Sequence, residues 1–178
     1  MGYVGVIEYQ KQILWTGIPV VLLSGLVQEG AKLAPAAAYW LFKRRTVAPG
    51  VALSIGAMAG AGFGIVEAQW VLNAIISHGW TWSLFQAYGF LGIAGFWERF
   101  FAIAFHIGSA GLAGWGLARG YGWQFFLLAS FLHFSLNYPV ILVQKGIISS
   151  LQIEIIIAVF ASLLFAAILH LRWKGKNF

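Results

Sequence analysis

From Ile13 to Leu171 the chain is a succession of apolar runs, each reaching the roughly 20 residues that an α-helix needs to cross a bilayer. Hydrophobic residues make up 61% of the 178 and charged residues only 9%, too few to clothe a soluble domain of this length. An unpaired backbone polar group in hydrocarbon costs several kcal/mol, which leaves helices and closed barrels as the structures that span. The runs are of helical length and lack the short alternating segments of a barrel. The predicted fold is all-α: one polytopic transmembrane helix bundle over residues 1–178, with about five spanning helices.

The runs extend from Ile13 to Phe42, Gly50 to Ile76, Phe96 to Ala118, Gly122 to Val143 and Ser149 to Leu171. Pro35 marks a kink or a break in the first. Residues 78–95 hold Trp80, Trp82, Phe85 and Tyr88, rings that favour the headgroup level, and are expected to be interfacial or re-entrant rather than spanning. Gly56, Gly60 and Gly64 recur every fourth residue in the second run, a smooth strip for close helix approach that is also compatible with a homo-oligomer. No internal repeat of the kind that builds many transporters is evident.

The net charge of +6 does not point to nucleic acid, because the basic residues cluster at the ends of apolar runs and not along a common stripe. Lys43, Arg44, Arg45, Arg119, Arg172, Lys174 and Lys176 fall on one side of a five-span bundle. Lys11 and Lys145 fall on the other, with Arg99 at a helix end. The positive-inside rule then places the N-terminus outside and the C-terminus in the cytoplasm, as expected for a multi-pass protein of a prokaryotic plasma membrane. Gly2 to Gln12 is polar and aromatic, and no cleavage site follows, so a cleavable signal peptide is not expected. With no cysteine, thiolate nucleophiles and sulfur-ligated metals are excluded.

An ionisable group at mid-membrane is costly unless paired, hydrated or neutral, so those present mark function or a packed ion pair. Glu29 and Lys32 are three residues apart on one helical face. Glu67 has no cation within a turn, so its partner must come from another helix. His106 and His133 are central to the third and fourth runs, and Asn137 shares the face of His133. Four helices thus bring polar groups to similar depth, as an enclosed site requires. Glu98 and Arg99 at the start of the third run fit an interfacial ion pair, or Arg99 could position a substrate carbonyl or carboxylate. His78, His170 and Glu154 fit boundary locations.

These residues, in order, resemble the superfamily of intramembrane glutamic proteases that includes the CAAX prenyl endopeptidases and the PrsW-type and YhfC-like membrane peptidases. Gln28-Glu29-Gly30-Ala31-Lys32 is similar to the PrsW-type Glu-Glu-x-x-Lys, and Phe63-Gly64-Ile65-Val66-Glu67 to Phe-x-x-x-Glu. Arg99 to His106 forms the third motif and His133-Phe134-Ser135-Leu136-Asn137 the fourth. Gln28 stands where the family usually has its first glutamate, and Asn137 agrees with the CAAX-like form. The resemblance implies a metal-independent endopeptidase acting on a membrane protein or lipidated peptide.

The expected catalytic set is Glu29, Glu67, His106, His133 and Asn137. Glu29 or Glu67 would activate water, His106 would orient it, and His133 and Asn137 would hold the oxyanion, while Lys32 and Arg99 tune or position. No cofactor is expected, although Glu67, His106 and His133 could form a zinc set with Glu29 as base. The other readings are a non-catalytic scaffold subunit, which Gln28 favours, and a small proton-coupled transporter.

Overall fold

The computed structural model describes the backbone of residues 2–174 and side chains from residue 14 onward. Lys176 and the side chain of Lys11 lie outside the described residues. The fold is all helical: α1 (Gly2–Phe42), α2 (Pro49–Ser77), α3 (Trp82–Tyr88), a 3₁₀ turn (Gly89–Ile93), α4 (Ala94–Ala118), α5 (Gly122–Gln144) and α6 (Ser150–Lys174). Five segments are long and apolar enough to cross a membrane. Large apolar side chains such as Trp15, Leu23, Met58, Trp70 and Leu163 are exposed on the outside, the arrangement a lipid solvent favours.

Two local expectations are refined. α1 is continuous through Pro19 and Pro35, so Pro35 marks no break. A transmembrane helix can carry proline because adjacent helices re-satisfy the freed backbone groups. Residues 82–93 form only a seven-residue helix and a five-residue 3₁₀ turn, too short to cross by themselves. Trp80 fastens this segment to the start of α4: its indole donates to the Gly92 carbonyl at 2.6 Å, and its ring meets Phe96 edge-on at 4.9 Å.

α4 is the central helix and packs on α1, α2, α5 and α6. Its closest neighbour is α2, because small residues face each other across the contact. A Cβ on Gly56 or Gly60 would run into the carbonyl oxygens of Ala110 or His106, and one on Gly64 would lie 3.0 Å from Ile103 Cα. The glycine strip is therefore covered within the chain by α4. Phe105, Leu136, Ile153, Ile157, Ala161 and Leu164 form the apolar core between α4, α5 and α6. α1 lies antiparallel to α5, with Gly25 against Ser130 and Gly30 against Phe126.

Gly60→Val should insert but push α4 away at His106, costing about 1–3 kcal/mol by overpacking. The check is the thermal midpoint in bicelles, where the exposed Gly62→Val serves as the control because a Cβ there meets nothing within 4 Å.

Candidate functional site

Three helices place their polar side chains around one buried ammonium. Glu29 and Lys32 on α1 are each 1% exposed. Lys32 Nζ donates to Glu29 Oε1 at 2.5 Å, to His106 Nδ1 at 2.8 Å and to Ser109 Oγ at 3.3 Å. All three N–H donors of the ammonium are thereby used. Glu29 Oε1 also accepts from His133 Nδ1 at 2.8 Å and from Ser109 Oγ at 3.1 Å. Glu29 Oε2 is buried without a partner among the described residues. The rings of Phe63 and Phe105 flank the ammonium, with centroids 5.5 and 5.8 Å away.

The tautomers follow from these contacts. Lys32 can only donate, so Nδ1 of His106 carries the lone pair and Nε2 carries the proton. That N–H donates to Glu67 Oε2 at 2.8 Å. Arg99 Nη1 reaches the same oxygen at 3.5 Å, and Arg99 Nη2 is paired with Glu98 Oε1. Glu67 Oε1 is left without a protein partner among the described residues. His133 gives its Nδ1–H to Glu29, which leaves Nε2 as its cavity-side nitrogen.

The cavity, about 120 Å³, is lined by Glu67, Arg99, Phe105, His106, His133 and Asn137, with Ile157 of α6 closing one wall. It has room for several waters. Glu29 and Lys32 are not among its lining residues. They stand behind the two histidines, whereas the side chain of Glu67 is 27% exposed and opens into the cavity. The seven expected residues thus divide: Glu67, Arg99, His106, His133 and Asn137 meet the cavity, and Glu29 and Lys32 brace it from within. Gln28 donates through Nε2 to Ser24 at 2.9 Å, its Oε1 is buried without a partner among the described residues, and it makes no hydrogen bond to the cluster among them.

Compared with protein-family models, curated proteins and solved structures, the chain matches none. The chemistry of the site therefore has to be read from its geometry. A buried Glu-His-His cluster in an all-helical fold is consistent with an intramembrane glutamic-protease site. Among the described residues the acid and the histidines that converge are Glu29, His106 and His133, one donor atom of each lying within 4.8 Å of the others. The expected zinc set had Glu67 in place of Glu29. His106 separates the two acids, turning Nδ1 toward the α1 cluster and Nε2 toward Glu67. Nor does the converging trio suit a resident metal, since the Lys32 ammonium already bridges Glu29 and His106 as the internal cation.

Ser109 was not among the residues expected at the site, and Glu154 was expected at a boundary. Ser109 lies one turn after His106, and that spacing was the available signal. Glu154 is buried near the start of α6 at 7% exposure, within electrostatic reach of Glu98 and Arg99, and its Oε2 has no partner among the described residues.

Proposed function

We propose that this chain is a metal-independent intramembrane peptidase in which Glu67 activates a water for attack on a peptide bond of a membrane-associated substrate. The observation that carries the reading is the division of labour on one carboxylate. His106 and Arg99 occupy Oε2 of Glu67, a residue that lines the cavity, and Oε1 has no protein partner among the described residues. A water placed between Glu67 Oε1 and His133 Nε2 donates one O–H to each and turns a lone pair toward the substrate carbonyl. Glu67 takes the proton as the C–O bond forms, then returns it to the leaving nitrogen as the C–N bond breaks.

With its Nδ1–H given to Glu29, His133 offers the water its Nε2 in this reading. Asn137, which lines the cavity, supplies the oxyanion donor in this reading. Glu29 and Lys32 hold His133 and His106 in these tautomers, as a buried acid holds the histidine of a catalytic triad.

One observation favours the scaffold reading: at about 120 Å³ the cavity is smaller than the roughly 300 Å³ at which ligand pockets begin. A substrate segment would have to part the helices to reach Glu67. The test is mass spectrometry of a peptide and membrane-protein fragment pool incubated with liposome-reconstituted protein, with and without a chelator. Fragments whose yield the chelator leaves unchanged are expected. Chelator-sensitive cleavage would overturn the metal-independent mechanism, and an uncleaved pool would move the scaffold reading ahead.

A further inference from the structure

A second, larger cavity lies at the opposite end of the bundle, where the C-terminal ends of α4 and α6 meet the N-terminal end of α2. Its volume is about 680 Å³, within the range of ligand pockets, and it is lined by Pro49, Gly50, Trp115, Arg119, Arg172 and Lys174 among others. We infer that this cavity binds a phosphate ester, with the headgroup of an anionic phospholipid as its ligand. The inference does not depend on the peptidase reading.

Two independent features leave positive charge here without a protein anion among the described residues. Among the described residues, Arg119, Arg172 and Lys174 form no ion pair. The acidic residues of the chain are Glu8, Glu29, Glu67, Glu98 and Glu154, and none falls in the segments that build this cavity. Arg119 stacks on Trp115 at 5.1 Å, a contact that leaves its charge uncompensated.

The second feature is the first turn of α2. Its N-cap is Ala48, with no side-chain cap hydrogen bond, and Pro49 opens the helix, so no carboxylate or hydroxyl offsets the positive end of this 29-residue helix. Arg172 lies over that same end: a Cβ on Gly50 would be 3.0 Å from its Nη1. A guanidinium set against a helix N-terminus is two like charges in contact, an arrangement that an anion between them makes favourable. Trp115 supplies an amphipathic ring of the kind found at the headgroup level. All three side-chain cations sit at the ends of helices long and apolar enough to cross a membrane, where lipid phosphates would lie.

The test uses the full-length protein, delipidated in non-ionic detergent, titrated with short-chain phosphatidylglycerol and, in parallel, with the matching uncharged diacylglycerol. Preferential binding of phosphatidylglycerol is expected. Each of Arg119→Gln, Arg172→Gln and Lys174→Gln should weaken it about fivefold and the triple variant about a hundredfold. Arg172→Lys should retain more affinity than Arg172→Gln. Competition with inorganic phosphate separates the two sources of this chemistry: no displacement assigns the site to the lipid headgroup, whereas displacement at concentrations similar to the lipid's would overturn that assignment in favour of free phosphate. Equal affinity of wild type and triple variant, or equal binding of phosphatidylglycerol and diacylglycerol, would overturn the site altogether. The thermal midpoint of each variant without lipid gives a second readout. Loss of mutually repelling cations should leave it unchanged or higher, and a clear drop would show that these residues serve the fold.

Discussion

Glu67→Gln should insert and fold like the wild type yet lose its peptidase turnover by about two to four orders of magnitude, the usual worth of a positioned general base. The amide is nearly isosteric with the carboxylate. Its oxygen can keep the hydrogen bond from His106 Nε2, made at 2.8 Å in the wild type, and the NH₂ then takes the place of Oε1. That position would donate where the carboxylate accepted, so the water loses the group that receives its proton. The fold cost should be small, because the side chain is 27% exposed and its ion pair with Arg99 is long, at 3.5 Å. Turnover of one cleaved peptide and the thermal midpoint, measured on the same proteoliposome preparation, check both halves. A large drop in the midpoint would mean that Glu67 belongs chiefly to the packing of the bundle.

Lys32→Met should have the opposite signature, a loss of stability of about 3–5 kcal/mol, because it strands the Glu29 carboxylate in the interior. Both partners are 1% exposed, and the ammonium is the hub of three hydrogen bonds. Glu29→Gln alone should also destabilise, by leaving the ammonium without its counterion. The double variant Glu29→Gln/Lys32→Met should recover more than half of the larger single loss, since a neutral glutamine can still accept from His133 and Ser109. Such strong non-additivity is the mark of a directly coupled pair. Unfolding in bicelles measures it, and additive losses would show that the two residues act on the fold separately.

The helices were legible in the sequence because lipid imposes a length on every apolar run. Gly122–Gln144 differs from the expected bounds by one residue at one end and Pro49–Ser77 by one residue at each end. The N-terminal quarter of α1 was not legible: Gly2 to Gln12 reads as polar and aromatic, yet its backbone continues the helix. The shared depth of Glu29, Glu67, His106 and His133 was also legible, since run ends fix depth when charges mark them. Depth does not fix azimuth, however. The packing of α4 against α2 through Gly60 and Gly64, and against α1, decides that His106 reaches Glu67 with one nitrogen and Lys32 with the other. The same limit hid the division of the two glutamates between cavity and interior. Glu154 was read as a boundary residue because its run begins close by; what the sequence did not show is that it is buried, within electrostatic reach of Glu98 and Arg99.

The most direct test of peptide hydrolysis at Glu67 is cleavage in water enriched with heavy oxygen, by wild-type proteoliposomes and by Glu67→Gln as the blank. Each wild-type cleavage should give a pair of fragments of which the N-terminal one carries a single heavy oxygen in its new carboxyl group, and the blank should give almost none. Labelled fragments formed equally by the variant, or an absence of labelled fragment pairs from the wild type, would contradict the assignment of Glu67 as the base of an intramembrane peptidase.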